Sequence, residues 1–323
     1  MINNTLASLL EQHDKWLITT HKGPDGDAIG SVVAWAEYAR QNNKEYLILL
    51  ADQPPSFLLP FLSDYHWEVY VPNTDYIYEL IFALDYNAPQ RVGEQMSNFI
   101  EHTSGVKIMI DHHPDPINFC QIMISDVDAC STTEVIYKTL DSLDKLGKIN
   151  EAMAKGLYLG LVTDTGSFRY SSVSAFTHQM VAKLFLTGFK HELIHQAVFD
   201  NNSISRLQLR GFALSQKLKL FPQYGIGLIS LSRGELQQFD YQKGDTEGLV
   251  NEILSIKGYT IGIFLMEIED GVKLSFRSKG ERYVNEFAKI YFNGGGHKNA
   301  AGGFYADSLS SVLTRLEGLL NKL

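Results

Sequence analysis

Four short apolar runs in the first third of the chain constrain its fold more than any other feature. They are Trp16-Leu17-Ile18-Thr19-Thr20, Tyr46-Leu47-Ile48-Leu49-Leu50, Glu79-Leu80-Ile81-Phe82-Ala83-Leu84 and Val106-Lys107-Ile108-Met109-Ile110. Their length and lack of polar alternation fit parallel strands buried on both faces. After the first run, Val32, Val33, Trp35, Ala36 and Ala39 recur at helical spacing. Strands alternating with helices predict an α/β domain whose mainly parallel sheet is flanked by helices.

Three of these runs end in groups that titrate. The first delivers His21, Asp25 and Asp27 in the stretch His21-Lys22-Gly23-Pro24-Asp25-Gly26-Asp27, the third Asp85, and the fourth Asp111-His112-His113. Ligands of open α/β sheets bind outside the carboxyl ends of strands, and mixed imidazole and carboxylate donors suit a divalent metal such as Mn²⁺ or Zn²⁺. Pro24-Asp25-Gly26 is also a turn signature, with Asp27 a candidate helix N-cap. A turn explains one polar strand end; a converging site explains all three at once. Asp52, just before Pro54-Pro55, reads as a turn residue and stays outside the site. Asp164 closes a helical segment that begins near residue 150. A carboxylate there opposes the helix dipole unless something positive faces it, and a bound metal would do so.

Farther along, residues 121–124 read as a strand and residues 131–146 as a helix capped by Ser131 or Thr132, with Glu134 near the capping-box position. From about residue 190 to 220 the pattern is helical and polar, a connector. Strands are then expected near residues 225–231, 259–266 and 272–277, with a helix before Gly294-Gly295-Gly296-His297. The division is therefore 1–190, a metal-binding domain; 191–220, a helical connector; and 221–323, a smaller α/β domain. The glycines permit close backbone approach and can aim N–H groups at an anion, with Arg277, Ser278, His297 and Lys298 as further donors. A flexible turn or a helix C-cap is the competing reading.

Composition narrows the functions. The net charge of −9 over 323 residues argues against a basic track for long nucleic acid but leaves room for a small anion at one site. Cys120 and Cys130 form neither a disulfide framework nor a CxxC pair. No run of 18 apolar residues occurs, and the first residues lack a basic segment followed by an apolar core, so no membrane is expected and a cytoplasmic location is.

Taken together, His21-x-x-Pro24-Asp25-x-Asp27, Asp85, Asp111-His112-His113, Asp164 and Gly294-Gly295-Gly296-His297 resemble the DHH/DHHA1 phosphoesterase family, in its nanoRNase and pAp phosphatase branch. The resemblance covers nearly the whole chain. It implies a DHH domain holding two Mn²⁺ ions, other divalent metals being allowed, and a DHHA1 domain that binds substrate. By position, His21, Asp25 and Asp85 would hold one ion, and Asp27, Asp85, His112 and Asp164 the other, with Asp85 bridging. Asp111 would orient an imidazole and His113 would face the phosphate as donor or general acid. Arg277, Ser278, His297 and the glycine loop would reach phosphate or base. The strand end at Leu84-Asp85-Tyr86-Asn87 departs from the pattern, lacking the Asp-Thr pair expected there. Two divalent ions about 3.5–4 Å apart can both generate a nucleophile from water and absorb phosphoryl charge. The implied activity is hydrolysis of short oligoribonucleotides and pAp (3'-phosphoadenosine 5'-phosphate). The alternatives are a phosphodiesterase for cyclic dinucleotides or linear products such as c-di-AMP and pApA, and a metal-stabilised nucleotide sensor without catalysis. A homodimer is compatible with each.

Overall fold

In the computed structural model, which describes residues 2–323, the apolar run at Trp16 becomes a central strand of a six-stranded sheet. Helix α1 (Ile2–Gln12) is followed by β1 (Lys15–Thr20), α2 (Gly26–Gln41), β2 (Glu45–Leu50), α3 (Leu59–Leu62), β3 (Trp67–Val69), β4 (Leu80–Leu84) and α4 (Glu94–His102). Then come β5 (Val106–Asp111), β6 (Ile122–Ser125), α5 (Thr132–Ser142), α6 (Glu151–Asp164), α7 (Ala175–Phe185) and α8 (His191–Phe199). The order is β3-β2-β1-β4-β5-β6, with every neighbouring pair parallel. The strand order reverses between β1 and β4, so the chain leaves these two neighbours in opposite directions and a crevice opens beyond their carboxyl ends.

Packing fixes that crevice. Trp16 of β1, Trp35 of α2 and Phe82 of β4 are fully buried together, and both tryptophan rings lie 5.2 Å from the Phe82 ring. Each side chain of this kind contributes roughly 1.5–3 kcal/mol by leaving water. Helices α2 and α6 meet through glycines: a Cβ on Gly30 would stand 2.4 Å from the Gly156 carbonyl oxygen. Any side chain there would force apart the helices that carry Asp27 and Asp164.

The helix expected to reach residue 146 stops at Ser142, because Asp144 takes a left-handed backbone (φ 56°) and Leu146–Lys148 forms a separate turn. Among the described residues no helix is long and apolar enough to cross a membrane.

This unit ends at Asn201, and a second runs from Asn202 to Leu323. The second contains α9 (Ile204–Phe212), β7 (Leu218–Phe221), β8 (Ile226–Leu231), α10 (Arg233–Gln238), α11 (Leu249–Leu254), β9 (Ile261–Ile268) and β10 (Gly271–Ser278). It continues with α12 (Asn285–Phe292), β11 (Gly295–His297), β12 (Ala300–Tyr305) and α13 (Leu309–Glu317). Its sheet has the order β11-β12-β10-β9-β8-β7, parallel only between β8 and β9.

Candidate metal centre

The loop after β1 is tied down by backbone on both sides. Lys22 N–H donates to the Arg91 carbonyl at 2.8 Å, and Gly23 N–H, at a left-handed φ of 67°, donates to the Asp52 carboxylate at 2.7 Å. Asp52 thus belongs to the support of this loop, a role that a reading of its double proline as a plain turn misses. Asp25, not Asp27, caps α2: its carboxylate accepts from the Asp27 and Ala28 N–H groups at 3.0 and 3.1 Å. Asp27 is thereby left in the first turn, buried, with its carboxylate turned to another helix. Its two oxygens accept the Thr132 and Thr133 N–H groups at 2.6 and 3.1 Å, at the N-terminus of α5.

Asp85 follows β4 in a left-handed conformation (φ 65°), held by its N–H on the Ile110 carbonyl at 3.1 Å. Such a backbone costs a non-glycine residue of order 1–3 kcal/mol and is kept where its surroundings dictate it. The fully buried Thr132 hydroxyl donates to Asp85 Oδ1 at 2.8 Å. Around this carboxylate stand the imidazoles of His21 (Nε2 to Oδ2, 3.4 Å), His112 (Nε2 to Oδ1, 3.8 Å) and His113 (Nδ1 to Oδ1, 3.7 Å).

Two of these rings are oriented alike. The Nδ1 atoms of His21 and His112 lie 3.0 and 3.3 Å from the carbonyls of Lys22 and Ala129, so each ring turns Nε2 toward the carboxylates. His112 Nε2 is 3.2 Å from Asp164 Oδ2, at the end of α6, and 3.9 Å from Asp27 Oδ2. A carbonyl on one ring nitrogen is the usual support for a metal-binding imidazole. His113 differs: Asp111 Oδ1 holds its Nδ1 at 2.8 Å and Asp111 Oδ2 accepts its backbone N–H at 3.0 Å. Asp111 orients His113, then, while a carbonyl orients His112.

Donor atoms of His21, Asp25 and Asp85 gather within 4.8 Å of one another, as do those of Asp27, His112 and Asp164, and those of Asp85, Asp111 and His113. The electrostatics suit cations at such groups. Burial first, then the charges of Asp85, Asp164 and Asp25, push the Asp27 carboxyl well above its ordinary value, against the hydrogen bond from Thr132. Burial pulls the His21 imidazole down, but its hydrogen bond to Asp85 and the charges of Asp25 and Asp85 prevail and raise it to about 9. In Asp85 the upward push of burial is outweighed by the same bond and by the three imidazoles, and its carboxyl is lowered. Protons therefore balance part of the crowded negative charge, and a divalent cation at the same place would displace them.

The remaining candidates lie in the second unit. Arg277 and Ser278 close β10; Ser278 is buried, and its hydroxyl accepts from Asn299 Nδ2 at 2.9 Å. Gly295, Gly296 and His297 form the short edge strand β11, and Asn293 rather than a glycine supplies the left-handed C-cap of α12. A Cβ would stand 2.0 Å from the Gly302 carbonyl oxygen at Gly294 and 2.5 Å from that of Ala300 at Gly296 (φ 139°). Two of the three glycines are thus required by contact between strands. Sequence reading passed over Asn299, whose amide also reaches the Gly280 carbonyl at 3.0 Å, and Tyr283, a half-exposed ring under the Lys298 ammonium at 5.4 Å. An aromatic beside a cation is a weak signal on its own.

Residues 15–161 match the family model described as "DHH family, N-terminal domain", and residues 228–322 match the "DHHA1 domain". The "Bifunctional oligoribonuclease and PAP phosphatase NrnA" of Bacillus subtilis is 28% identical over 97% of both chains. The "Cyclic-di-AMP phosphodiesterase GdpP" of the same organism is 25% identical over 100% of this chain but only 50% of that protein. Among solved structures, an exopolyphosphatase-related protein from Bacteroides fragilis superposes with a TM-score of 0.92 at 33% identity, covering 99% of this chain and 96% of that one.

Proposed function

The chain belongs to the DHH family of phosphoesterases, and from that premise we propose that it uses two Mn²⁺ ions to hydrolyse phosphoester bonds in short oligoribonucleotides and in pAp. One observation carries the proposal. Asp85 belongs to one donor group with His21 and Asp25, its Oδ2 lying 3.4 Å from His21 Nε2, while its Oδ1 lies 3.8 Å from Nε2 of His112, a member of the group formed with Asp27 and Asp164. In this reading His21, Asp25 and Asp85 would hold one ion and Asp27, Asp85, His112 and Asp164 the other, Asp85 being common to both sets. Bound there, such ions would supply a nucleophilic hydroxide at neutral pH and positive charge for the phosphoryl oxygens.

The chain's own groups do the rest. Burial works to lower the His113 imidazole, but its bond to Asp111 and the charges of Asp85 and Asp111 leave it raised. In this reading His113 would deliver a proton to the leaving oxygen, and Asp111 keeps the ring in place for that transfer. Arg277 and His297, with the amides around Gly294, Gly295 and Gly296, take the phosphate or base of the substrate, while Ser278 holds Asn299 beside them. A relative that aligns end to end supports the oligoribonucleotide and pAp reading. A second reading, hydrolysis of cyclic dinucleotides, rests on the relative of which this chain spans half.

The test is a panel of a ribodinucleotide, pAp, a cyclic dinucleotide and pyrophosphate, assayed with Mn²⁺ and with excess EDTA. Turnover of the first two, lost in chelator and restored by Mn²⁺, is expected. Full activity after verified metal removal would end the metal proposal. Preference for the cyclic substrate would install the second reading, and tight binding without turnover would make the protein a sensor.

A further inference from the structure

Thr132 touches both halves of the proposed centre. Its backbone N–H donates to Asp27 Oδ2 at 2.6 Å and its hydroxyl to Asp85 Oδ1 at 2.8 Å, and the residue is fully buried. Asp27 comes from the first turn of α2, Asp85 from the left-handed residue after β4, and Thr132 from the first position of α5. One residue of a third element thus joins two carboxylates whose charges repel. We propose that Thr132 is a positioning residue that sets the separation and orientation of Asp27 and Asp85 for two divalent cations. The inference rests on the two-ion reading above and adds a determinant of it.

The chemistry of a bridging carboxylate explains why a hydroxyl belongs here. Each carboxylate oxygen has two lone pairs. A donor fixed on one lone pair of Asp85 Oδ1 leaves the other as that atom's acceptor direction, so the hydroxyl selects the face offered to a cation. The support behind Thr132 is rigid. Ser131 caps α5 by accepting Glu134 N–H at 3.1 Å. The buried Glu134 carboxylate, instead of closing a capping box, accepts from Thr177 Oγ1 at 2.7 Å, from Cys130 Sγ at 3.0 Å and from Lys138 Nζ at 2.8 Å. These bonds anchor the first turn of α5 to α7 and to its own next turn, so the Thr132 hydroxyl is presented from a fixed point.

The experiment compares Thr132→Val, which keeps the shape and removes the hydroxyl, with Thr132→Ser, which keeps the hydroxyl, in the full-length protein. Mn²⁺ alone is the probe, followed by calorimetric titration, with thermal melting of the metal-free proteins alongside. Thr132→Val should bind Mn²⁺ roughly 10–100-fold more weakly, the range for groups that orient ligands, and Thr132→Ser should bind like the parent. Should Thr132→Val fail to fold, Thr132→Ala serves as the hydroxyl-free variant. Parent-like affinity without the hydroxyl, or an equal loss in the serine variant, would overturn the inference. A parent protein that binds no Mn²⁺ would instead overturn the two-ion reading, so the two failures are distinct.

Discussion

Gly160 of α6 lies so close to Asp27 of α2 that a Cβ on the glycine would stand 2.4 Å from the Asp27 carboxylate oxygen and 2.4 Å from the Thr133 hydroxyl. The buried carboxylate, its amide donors on α5 and the surface of α6 share one space with no room for a methyl group. The glycine is required by that close approach, whatever its conformational freedom.

Gly160→Ala should therefore damage the centre more than the helix. Alanine gains about 1 kcal/mol in helix propensity, but overpacking costs typically about 1–3 kcal/mol. The strain falls on Asp27 and Thr133. A lower melting temperature together with weaker Mn²⁺ binding is expected. Gly147→Ala, where nothing lies within 4 Å of the added Cβ, is the control and should change neither. Unaltered Mn²⁺ affinity in Gly160→Ala would show that Asp27 tolerates displacement and is no ligand.

Asp85 and Asp52 make a second comparison. Asp85 faces three imidazoles, whereas Asp52 reaches the His21 loop at the Gly23 N–H. A hydrogen bond to a charged group is worth about 1.5–3 kcal/mol. Asp52→Ala should loosen the loop and weaken Mn²⁺ binding moderately; Asp85→Ala should abolish binding of at least one ion. Titration with Mn²⁺ separates them, and equal losses would mean that the site is organised around a different strand end.

Much of this arrangement was legible in the sequence because strand ends are where an apolar pattern stops abruptly, and a His or Asp at that point stands out. His21, Asp85 and the Asp111-His112-His113 run were found that way, and the sheet they imply is the one observed. What stayed hidden depends on contacts between distant segments. Asp52 looked like any turn residue until its bond to Gly23 was seen. Thr132 looked like part of a helix cap, since nothing local says that its hydroxyl meets a carboxylate 47 residues away. The glycines at 294 and 296 suggested a loop, yet their lack of a side chain is demanded by strand contact, a pairing that no local pattern announces.

Metal binding should release protons. With His21 raised from 6.5 to about 9, the metal-free protein carries that proton at about pH 7.5, and a coordinating imidazole must lose it. Asp27, also raised, acts in the same direction. Mn²⁺ affinity should climb with pH and flatten above about 9, and calorimetry in two buffers of different ionisation enthalpy should give different apparent heats. The sign reverses for the stability of the metal-free fold. The His21 and Asp85 pair contributes fully between about 3.8 and 6.5, loses its contribution as pH rises through about 9, and loses it again in acid as Asp85 takes up a proton. Identical heats in both buffers would contradict His21 as a ligand.

Substrate length follows from charge and size together. A net charge of −9 argues against a continuous basic track, so on the proposed function binding would come from one or two phosphates held by Arg277, His297 and the amides near Gly294. Such contacts would saturate after a few nucleotides, and in a protein of net charge −9 each further phosphate would add repulsion. Catalytic efficiency should be highest for oligomers of about two to five nucleotides and should fall for longer chains. Few counterions are released on binding, so the dependence on salt should be shallow. Arg277→Ala should raise KM for a dinucleotide while leaving Mn²⁺ affinity intact, because Arg277 lies in the second unit and is proposed to contact substrate and no metal ion. The measurement is kcat/KM across a ladder of oligoribonucleotides at two salt concentrations. Efficiency that climbs with length to tens of nucleotides, with a steep salt slope, would mean that the protein grips a polymer and would refute a small-substrate site.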